Sequence, residues 1–154
     1  MLSLEITESA LMDDIDSSAR AMRSLRDLGV RLAIDEFGTG YSSLSHLKRL
    51  PVDSLKIDRS FISGLPDDVH DRSITEAIIT LGRNLGLTIV AEGVETVEQW
   101  IALDELGCSV GQGFLWSPPI PGSAFAPLVT GLRGARPGAP VWKAASVSAW
   151  TSSR

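Results

Sequence analysis

Four ionisable residues and one amide occur at or near the ends of five short apolar segments: Glu5, Asp35, Lys56, Glu92 and Gln112. If these segments are parallel strands of an α/β fold, their carboxyl ends meet and the five side chains converge on one site. Clustered carboxylates repel one another unless a cation neutralises them, and their hard oxygen atoms suit Mg²⁺ or Mn²⁺ rather than Zn²⁺. The sequence therefore predicts a site for a divalent cation. Its candidate ligands are Glu5, Asp35, Glu36 and Glu92.

The segments between these residues alternate between the periods of strand and helix. Apolar residues alternate with polar ones at Leu2, Leu4 and Ile6, whereas the apolar residues of 15–28 recur at helical spacing before Gly29. The strand segments are 2–6, 30–34, 55–57, 87–91 and 110–114, and the helical segments are 15–28, 44–50, 74–85 and 96–106. We expect Gly29 and Gly86 to end the helices that precede them, and Thr96 and Gln99 to form a capping box at the start of the last helix. Strands that alternate with helices predict an α/β fold with a parallel sheet of about five strands.

The segment 35–40, DEFGTG, follows the second predicted strand. Its glycines allow a sharp turn, which a loop without any function would use equally well. The two acids therefore favour a functional site only in combination with the other strand ends.

Composition restricts the class of protein. The 154 residues carry a formal net charge of −5 and no basic stripe, which argues against a nucleic-acid partner. No apolar run reaches the ~20 residues that span a membrane. The single cysteine, Cys108, lies among apolar residues, so we expect a buried thiol in a cytoplasmic protein.

Five motifs occur in order: LEITES at 4–9, IDEFGTGYSSL at 34–44, LKIDRSFI at 55–62, AEGVET at 91–96 and GQGF at 111–114. They resemble successive motifs of the bacterial EAL family, which hydrolyses cyclic di-GMP to linear pGpG. The resemblance covers roughly residues 2–130 and implies a partial TIM-like (β/α) barrel, about the last five strands of an EAL barrel. We expect residues 1–130 to form a partial EAL domain. Residues 131–154, rich in Gly, Ala, Pro, Ser and Arg, are expected to form a disordered tail.

The resemblance also implies roles in a two-metal site that binds Mg²⁺ or Mn²⁺. Glu5, Asp35 and Glu92 would be metal ligands, with Glu36 beside them. Lys56 would orient or help to activate the attacking water, and Gln112 would lie near that water or the metals. Glu8 and Glu95 would hold the loop after Asp35, and Asp58 would lie in the neighbourhood of the site.

Two departures from the family pattern affect the expected activity. The family places two aspartates before the Phe-Gly of its catalytic loop, whereas this sequence has Asp35 followed by Glu36. The Glu-Ala-Leu signature, a substrate-binding arginine and an asparagine ligand lie upstream in the family and do not occur in these residues. We therefore expect a truncated phosphodiesterase that is inactive alone, with open sheet edges that favour a homo-oligomer.

Other interpretations remain open at this point. A degenerate cyclic-di-GMP signalling or protein-interaction domain would keep the motifs without catalysis. A pseudogene product would fold poorly. An enolase-type lyase could also place carboxylates at strand ends, but it gives no reason for the spacing between the DEFGTG and LKID motifs.

Overall fold

The computed structural model describes residues 2–12, 14–40 and 47–126 of the chain. Its elements are β1 (Ser3–Thr7), α1 (Glu8–Met12), α2 (Ile15–Asp27), β2 (Arg31–Phe37), β3 (Ser54–Ile57), α3 (Arg59–Ile62), α4 (Val69–Asn84), β4 (Thr88–Ala91), α5 (Val97–Glu105) and β5 (Val110–Gly111). Residues 122–126 are also helical. The predicted tail at 131–154 and half of the predicted helix at 44–50 lie outside the described residues.

The five strands form one sheet in the order β1-β2-β3-β4-β5, and every neighbouring pair is parallel. The predicted α/β architecture with five parallel strands is therefore confirmed. Because every neighbouring pair is parallel, all five carboxyl ends lie at the same edge of the sheet. Thr7 at the end of β1, for example, pairs with Asp35 of β2.

One face of this sheet carries the hydrophobic core. Leu32 and Ile34 of β2, and Leu55 and Ile57 of β3, are almost completely buried and belong to one apolar cluster with residues of the helices, including Met22 of α2. Successive side chains of a strand point to opposite faces. The residues between these apolar positions, including Lys56, therefore lie on the other face.

The helix ends follow local signals in the sequence. Thr96 and Gln99 form the predicted capping box at the start of α5, because each side chain bonds the backbone of the other residue. The predicted glycine stops are also confirmed. Gly29 after α2 and Gly86 after α4 have φ angles of +81° and +72°, a conformation that glycine adopts at little cost.

Several elements differ from the sequence-based expectation, and α4 begins at Val69, five residues before the predicted helical segment. The helices α1 and α3, of 5 and 4 residues, were not predicted, since neither is long enough to show a helical period. The last strand was predicted over 110–114, but β5 contains only Val110 and Gly111. After Gln112 the backbone bonds the segment that follows β4, since the N–H group of Leu115 donates to the carbonyl oxygen of Val94.

The predicted burial of Cys108 is confirmed. Its side chain is 1% exposed, and its Sγ contacts the carbonyl oxygen of Val110 at 3.4 Å. Burial raises the pKa of this thiol. No helix in the described part of the chain combines the length and apolar character needed to cross a bilayer.

Candidate active site

The charged residues of four consecutive strands meet at the side chain of Lys56. Its Nζ lies 2.7 Å from Oε2 of Glu5, 2.6 Å from Oε1 of Glu92 and 3.3 Å from Oδ1 of Asp35. The Lys56 side chain is 6% exposed, whereas that of Glu5 is 50% exposed. One buried ammonium group therefore contacts three carboxylates, the outermost of which faces solvent.

Strand alternation and register explain this convergence. Glu5 of β1 pairs with Ala33 of β2, and Ala33 pairs with Ser54 of β3, so these three positions share one face of the sheet. Asp35 and Lys56 each follow two residues later on the same face. On β4 the partner of Lys56 is Val90, and Glu92 follows it by two residues. A sequence separation of 51 residues between Glu5 and Lys56 thus becomes a direct hydrogen bond.

The electrostatics of the cluster are mutual. Burial alone would lower the pKa of Lys56, but hydrogen bonds to Glu5 and Glu92 and the charges of Glu92 and Asp35 outweigh it, so the pKa lies above its ordinary value. The pKa of Glu92 is also raised, because burial and the nearby Asp35 carboxylate outweigh the stabilising contact with Lys56. Lys56 therefore remains a cation at neutral pH and provides the positive charge at the centre of the cluster.

The backbone at Glu36 fixes the orientation of Asp35. Glu36 has a φ angle of 55°, in the left-handed region, and the pairing of β2 with β3 shifts register between Ile34 and Phe37. In this conformation the N–H group of Glu36 donates to Oδ1 of Asp35 at 2.9 Å, the same oxygen that faces Lys56. The side chain of Glu36 is exposed. The irregularity therefore aims Asp35 into the cluster and turns Glu36 towards solvent.

The loop after β2 rests on Glu8, the first residue of α1. Glu8 is 2% exposed, and its Oε2 accepts a hydrogen bond of 2.8 Å from the N–H group of Gly38. A Cβ atom at Gly40 would lie 2.8 Å from Oε1 of Glu8, so the absence of a side chain there permits the close approach. These contacts are those that a residue supporting the loop after Asp35 requires.

Gln112 lies beside Glu92 at the end of β5. Its backbone pairs with the 91–94 segment, since its N–H group donates to the carbonyl oxygen of Ala91 and its own carbonyl oxygen accepts from Val94. Gln112 and Glu92 line one cavity of about 260 Å³ together with Arg59, Gly93, Glu95, Gly113 and Phe114. This cavity opens next to the cluster and is large enough to admit part of a small ligand.

Comparison with known proteins identifies the family. The model of the EAL domain family matches residues 1–119. The chain belongs to the EAL domain family. Two relatives come from Pseudomonas aeruginosa. The cyclic di-GMP phosphodiesterase NbdA is 49% identical over 132 residues, which are 86% of this chain. The bifunctional diguanylate cyclase/cyclic di-GMP phosphodiesterase MucR is 54% identical over 120 residues, or 78% of this chain. The chain spans 17% and 18% of the lengths of these relatives.

Solved EAL structures resemble the fold closely. The PaMucR phosphodiesterase in complex with c-di-GMP has a TM-score of 0.78 at 52% identity, and the similarity covers 80% of this chain and 50% of that one. The EAL domain of Mycobacterium smegmatis DcpA has a TM-score of 0.79 at 48% identity, covering 88% and 60% of the two chains. Klebsiella pneumoniae BlrP1, solved as a manganese/cyclic-di-GMP complex, has a TM-score of 0.71 at 38% identity, covering 76% and 30%.

Two of the predicted site residues of this EAL domain make other contacts in the structure. The Asp58 side chain caps α3, accepting from the backbone N–H and the hydroxyl group of Ser60 at 2.9 and 2.5 Å. Glu95 forms a salt bridge of 3.1 Å with Arg59, and both side chains are largely exposed. The predicted contact between Glu95 and the loop after Asp35 stays a prediction, because residues 41–46 of that loop lie outside the described residues.

Sequence reasoning did not assign a role to Arg59. The residue lies within the LKIDRSFI motif, but nothing in the spacing indicates its partner. A Cβ atom at Gly93 would lie 2.8 Å or less from three carbon atoms of the Arg59 side chain, so Gly93 allows the arginine to lie across the backbone beside Glu92. Arg59 thereby forms one wall of the cavity next to the cluster.

The donor set of the cluster agrees in chemistry with Mg²⁺ or Mn²⁺, because carboxylate oxygens are the ligands these ions prefer. Within residues 2–12, 14–40 and 47–126, however, no three His, Cys, Asp or Glu side chains are grouped so as to hold a metal ion. The carboxylates of Glu5, Asp35 and Glu92 are directed at the Lys56 ammonium. The residues thus fit a divalent cation in donor type, with Lys56 at the point where they converge.

Proposed function

We propose that the site serves the hydrolysis of cyclic di-GMP to pGpG with the aid of Mg²⁺ or Mn²⁺. The observation that carries this proposal is the convergence of Glu5, Asp35 and Glu92 on Lys56 at the carboxyl edge of an EAL sheet. Two relatives are named cyclic di-GMP phosphodiesterases, and BlrP1 was solved with manganese and cyclic di-GMP. These names support the same substrate and cation class for this chain.

Each residue of the cluster has a proposed task. Glu5, Asp35 and Glu92 would hold the cations, with Glu36 as a further ligand. When bound there, such cations supply Lewis acidity that activates water and neutralises charge on the phosphate. Lys56 keeps its proton and can orient the attacking water by donating hydrogen bonds.

The remaining site residues act around this cluster. Gln112 lines the cavity beside Glu92, where its amide group can bond the same water or a phosphate oxygen. Glu8 holds the loop that follows Asp35 through the N–H group of Gly38. We assign Glu8 a positioning role, because it accepts a hydrogen bond from the backbone of the loop after Asp35.

We further propose that the 154-residue polypeptide, assayed by itself, has negligible activity. Glu5 is half exposed to water, which weakens its hold on a cation. The Glu-Ala-Leu segment, which contributes to the family's metal site, does not occur in these residues. The complete site would combine this chain's residues with that segment.

A chimera tests the proposal. The 154-residue chain would replace the matching half of the PaMucR phosphodiesterase, and pGpG formation would be measured with Mg²⁺ and with Mn²⁺. We expect turnover in the chimera and none above background in the 154-residue polypeptide. Turnover should be lost in Glu92→Gln but kept in Glu98→Gln, a matched glutamate in the first turn of α5. A folded chimera without turnover, or equal loss in both variants, would contradict the proposal.

A second candidate function is binding of cyclic di-GMP without hydrolysis. It is favoured by Glu36, whose side chain is exposed and one methylene group longer than the aspartate of the family pattern. In that case the chimera would bind cyclic di-GMP with either metal but form no pGpG. Recovery of hydrolysis by Glu36→Asp would return the assignment to a phosphodiesterase.

A further inference from the structure

The contacts of Lys56 have a consequence for how the site gains a metal. Its ammonium is within hydrogen-bonding or ion-pair distance of three of the four candidate ligands, and the side chain is almost completely buried. A single cation at this point relieves the repulsion among three carboxylates that would otherwise share a small volume. Lys56 thus meets part of the electrostatic requirement that a bound metal would meet.

We propose that Lys56 is a built-in counter-ion that holds the carboxylate cluster together and gives up these carboxylates when a divalent cation binds. The carboxylates that contact Nζ are the same groups that would ligate the metal. A carboxylate oxygen cannot keep a hydrogen bond of 2.6 or 2.7 Å to the ammonium and also bind a dication at full strength, because the two positive charges repel each other. The identity of the incoming cation rests on the proposed function, but the contacts of Lys56 with the three carboxylates do not.

Two properties follow for the same side chain. Without a metal, Lys56 stabilises the fold, because its loss would leave Glu5, Asp35 and Glu92 close together and uncompensated. With a metal, Lys56 opposes binding, because its charge competes for the same ligands. A residue that only orients water would have neither effect.

The first test measures thermal stability of the 154-residue chain in EDTA. Lys56→Met removes the charge and keeps an unbranched apolar side chain, and Lys56→Arg retains a cation as the matched control. We expect Lys56→Met to melt clearly below wild type in EDTA, and Lys56→Arg to melt closer to wild type. Addition of Mn²⁺ should raise the melting temperature of Lys56→Met by more than that of wild type.

The second test measures Mn²⁺ binding directly, by calorimetric titration of the same proteins without nucleotide. We expect Lys56→Met to bind Mn²⁺ about tenfold more tightly than wild type or more, equivalent to roughly 1.4 kcal/mol. The double variant Lys56→Met/Glu92→Gln covers the case in which Lys56→Met does not fold in EDTA. Removing one carboxylate should then restore part of the stability.

The outcomes separate this proposal from the proposed function. Equal melting temperatures of wild type and Lys56→Met in EDTA, or weaker Mn²⁺ binding by Lys56→Met, would overturn the counter-ion role. So would a Lys56→Met protein that stays unfolded both at saturating Mn²⁺ and in the double variant, because loss of charge compensation would not be the cause. Melting temperature and Mn²⁺ affinity are both measured without cyclic di-GMP. Their results therefore test the counter-ion role even if the chimera does not hydrolyse cyclic di-GMP.

Discussion

Substitutions at position 36 should change stability and activity in different ways, because the backbone conformation favours glycine whereas the proposed role as a metal ligand needs a carboxylate. Its φ angle of 55° lies in the left-handed region, where a side chain costs about 1–2 kcal/mol relative to the right-handed conformation. Glycine would remove that cost but would lose about 0.5–1 kcal/mol through its greater freedom in the unfolded chain. Glu36→Gly should therefore raise the free energy of unfolding by roughly 0.5–1 kcal/mol.

For a chain of this size, such a gain corresponds to a rise of roughly 2 °C in melting temperature. Glu36→Asp should give a smaller rise, because aspartate enters the left-handed region more readily than glutamate does. Glu36→Gln, which keeps the length and the backbone cost, should melt close to wild type. Thermal denaturation in EDTA of these three variants measures the backbone contribution alone.

The catalytic contribution is measured in the PaMucR chimera. Glu36→Asp shortens the side chain by one methylene group. The carboxylate then moves by about 1 Å, to the position that the family's aspartate would give it, and catalytic sites are sensitive to a displacement of this size. We expect its maximal rate to exceed that of the unmodified chimera by about tenfold or more, or roughly 1.4 kcal/mol of barrier. Glu36→Gly should not show this gain, because it has no carboxylate. Equal maximal rates for the unmodified chimera and for Glu36→Asp at saturating metal would show that the length of the side chain at position 36 does not limit the rate.

Three further predictions concern stability and assembly. Glu8→Ala should lower the free energy of unfolding by about 1.5–3 kcal/mol, because the buried hydrogen bond from Gly38 is lost. Glu8→Gln should lower it less, because its amide oxygen can still accept that bond. Chemical denaturation of the two variants measures the difference. Asp68 caps α4, and bonds from the N–H groups of Asp71 and His70 hold its pKa below the ordinary value. Its contribution is therefore present above the unfolded-state pKa and is lost as the pH falls through the lower folded-state pKa. Asp68→Ala should melt below wild type at pH 7, and the difference in melting temperature should narrow in acid. A difference that stays constant with pH would contradict this assignment. Asp68→Asn, which keeps an acceptor without titrating, is the control. The strands β1 and β5 lie at the edges of the described sheet, so we expect concentration-dependent self-association in sedimentation velocity, and a compact monomer at all concentrations would contradict it.

The sequence was sufficient to predict the parts of the fold that have a strong period or a specific cap. The strand at 30–34, the helix before Gly86 and the capping box at Thr96 each depend on residues close in sequence, and the structure contains all three. The helices α1 and α3 lack that local signal. Each is only 4 or 5 residues long, and α3 is defined by the Asp58 cap rather than by periodicity.

The candidate site was predictable in membership but not in geometry. Strand ends in a parallel sheet share an edge, so the positions of Glu5, Asp35 and Glu92 indicated that they would meet. The sequence could not indicate that one ammonium contacts all three, because that depends on the register of four strands. Nor could it indicate the positive φ angle of Glu36, since glutamate is not a residue that favours this conformation.

A crystal structure of the chimera grown with Mn²⁺ would test directly whether Glu5, Asp35 and Glu92 bind the cation. The diffraction data would be measured at a wavelength where manganese scatters anomalously. We expect an anomalous peak at bonding distance from carboxylate oxygens of Glu5, Asp35 and Glu92, with Lys56 Nζ displaced from at least one of the two oxygens it contacts at 2.6 and 2.7 Å. Manganese bound elsewhere, with all three carboxylates still on the Lys56 ammonium, would contradict it.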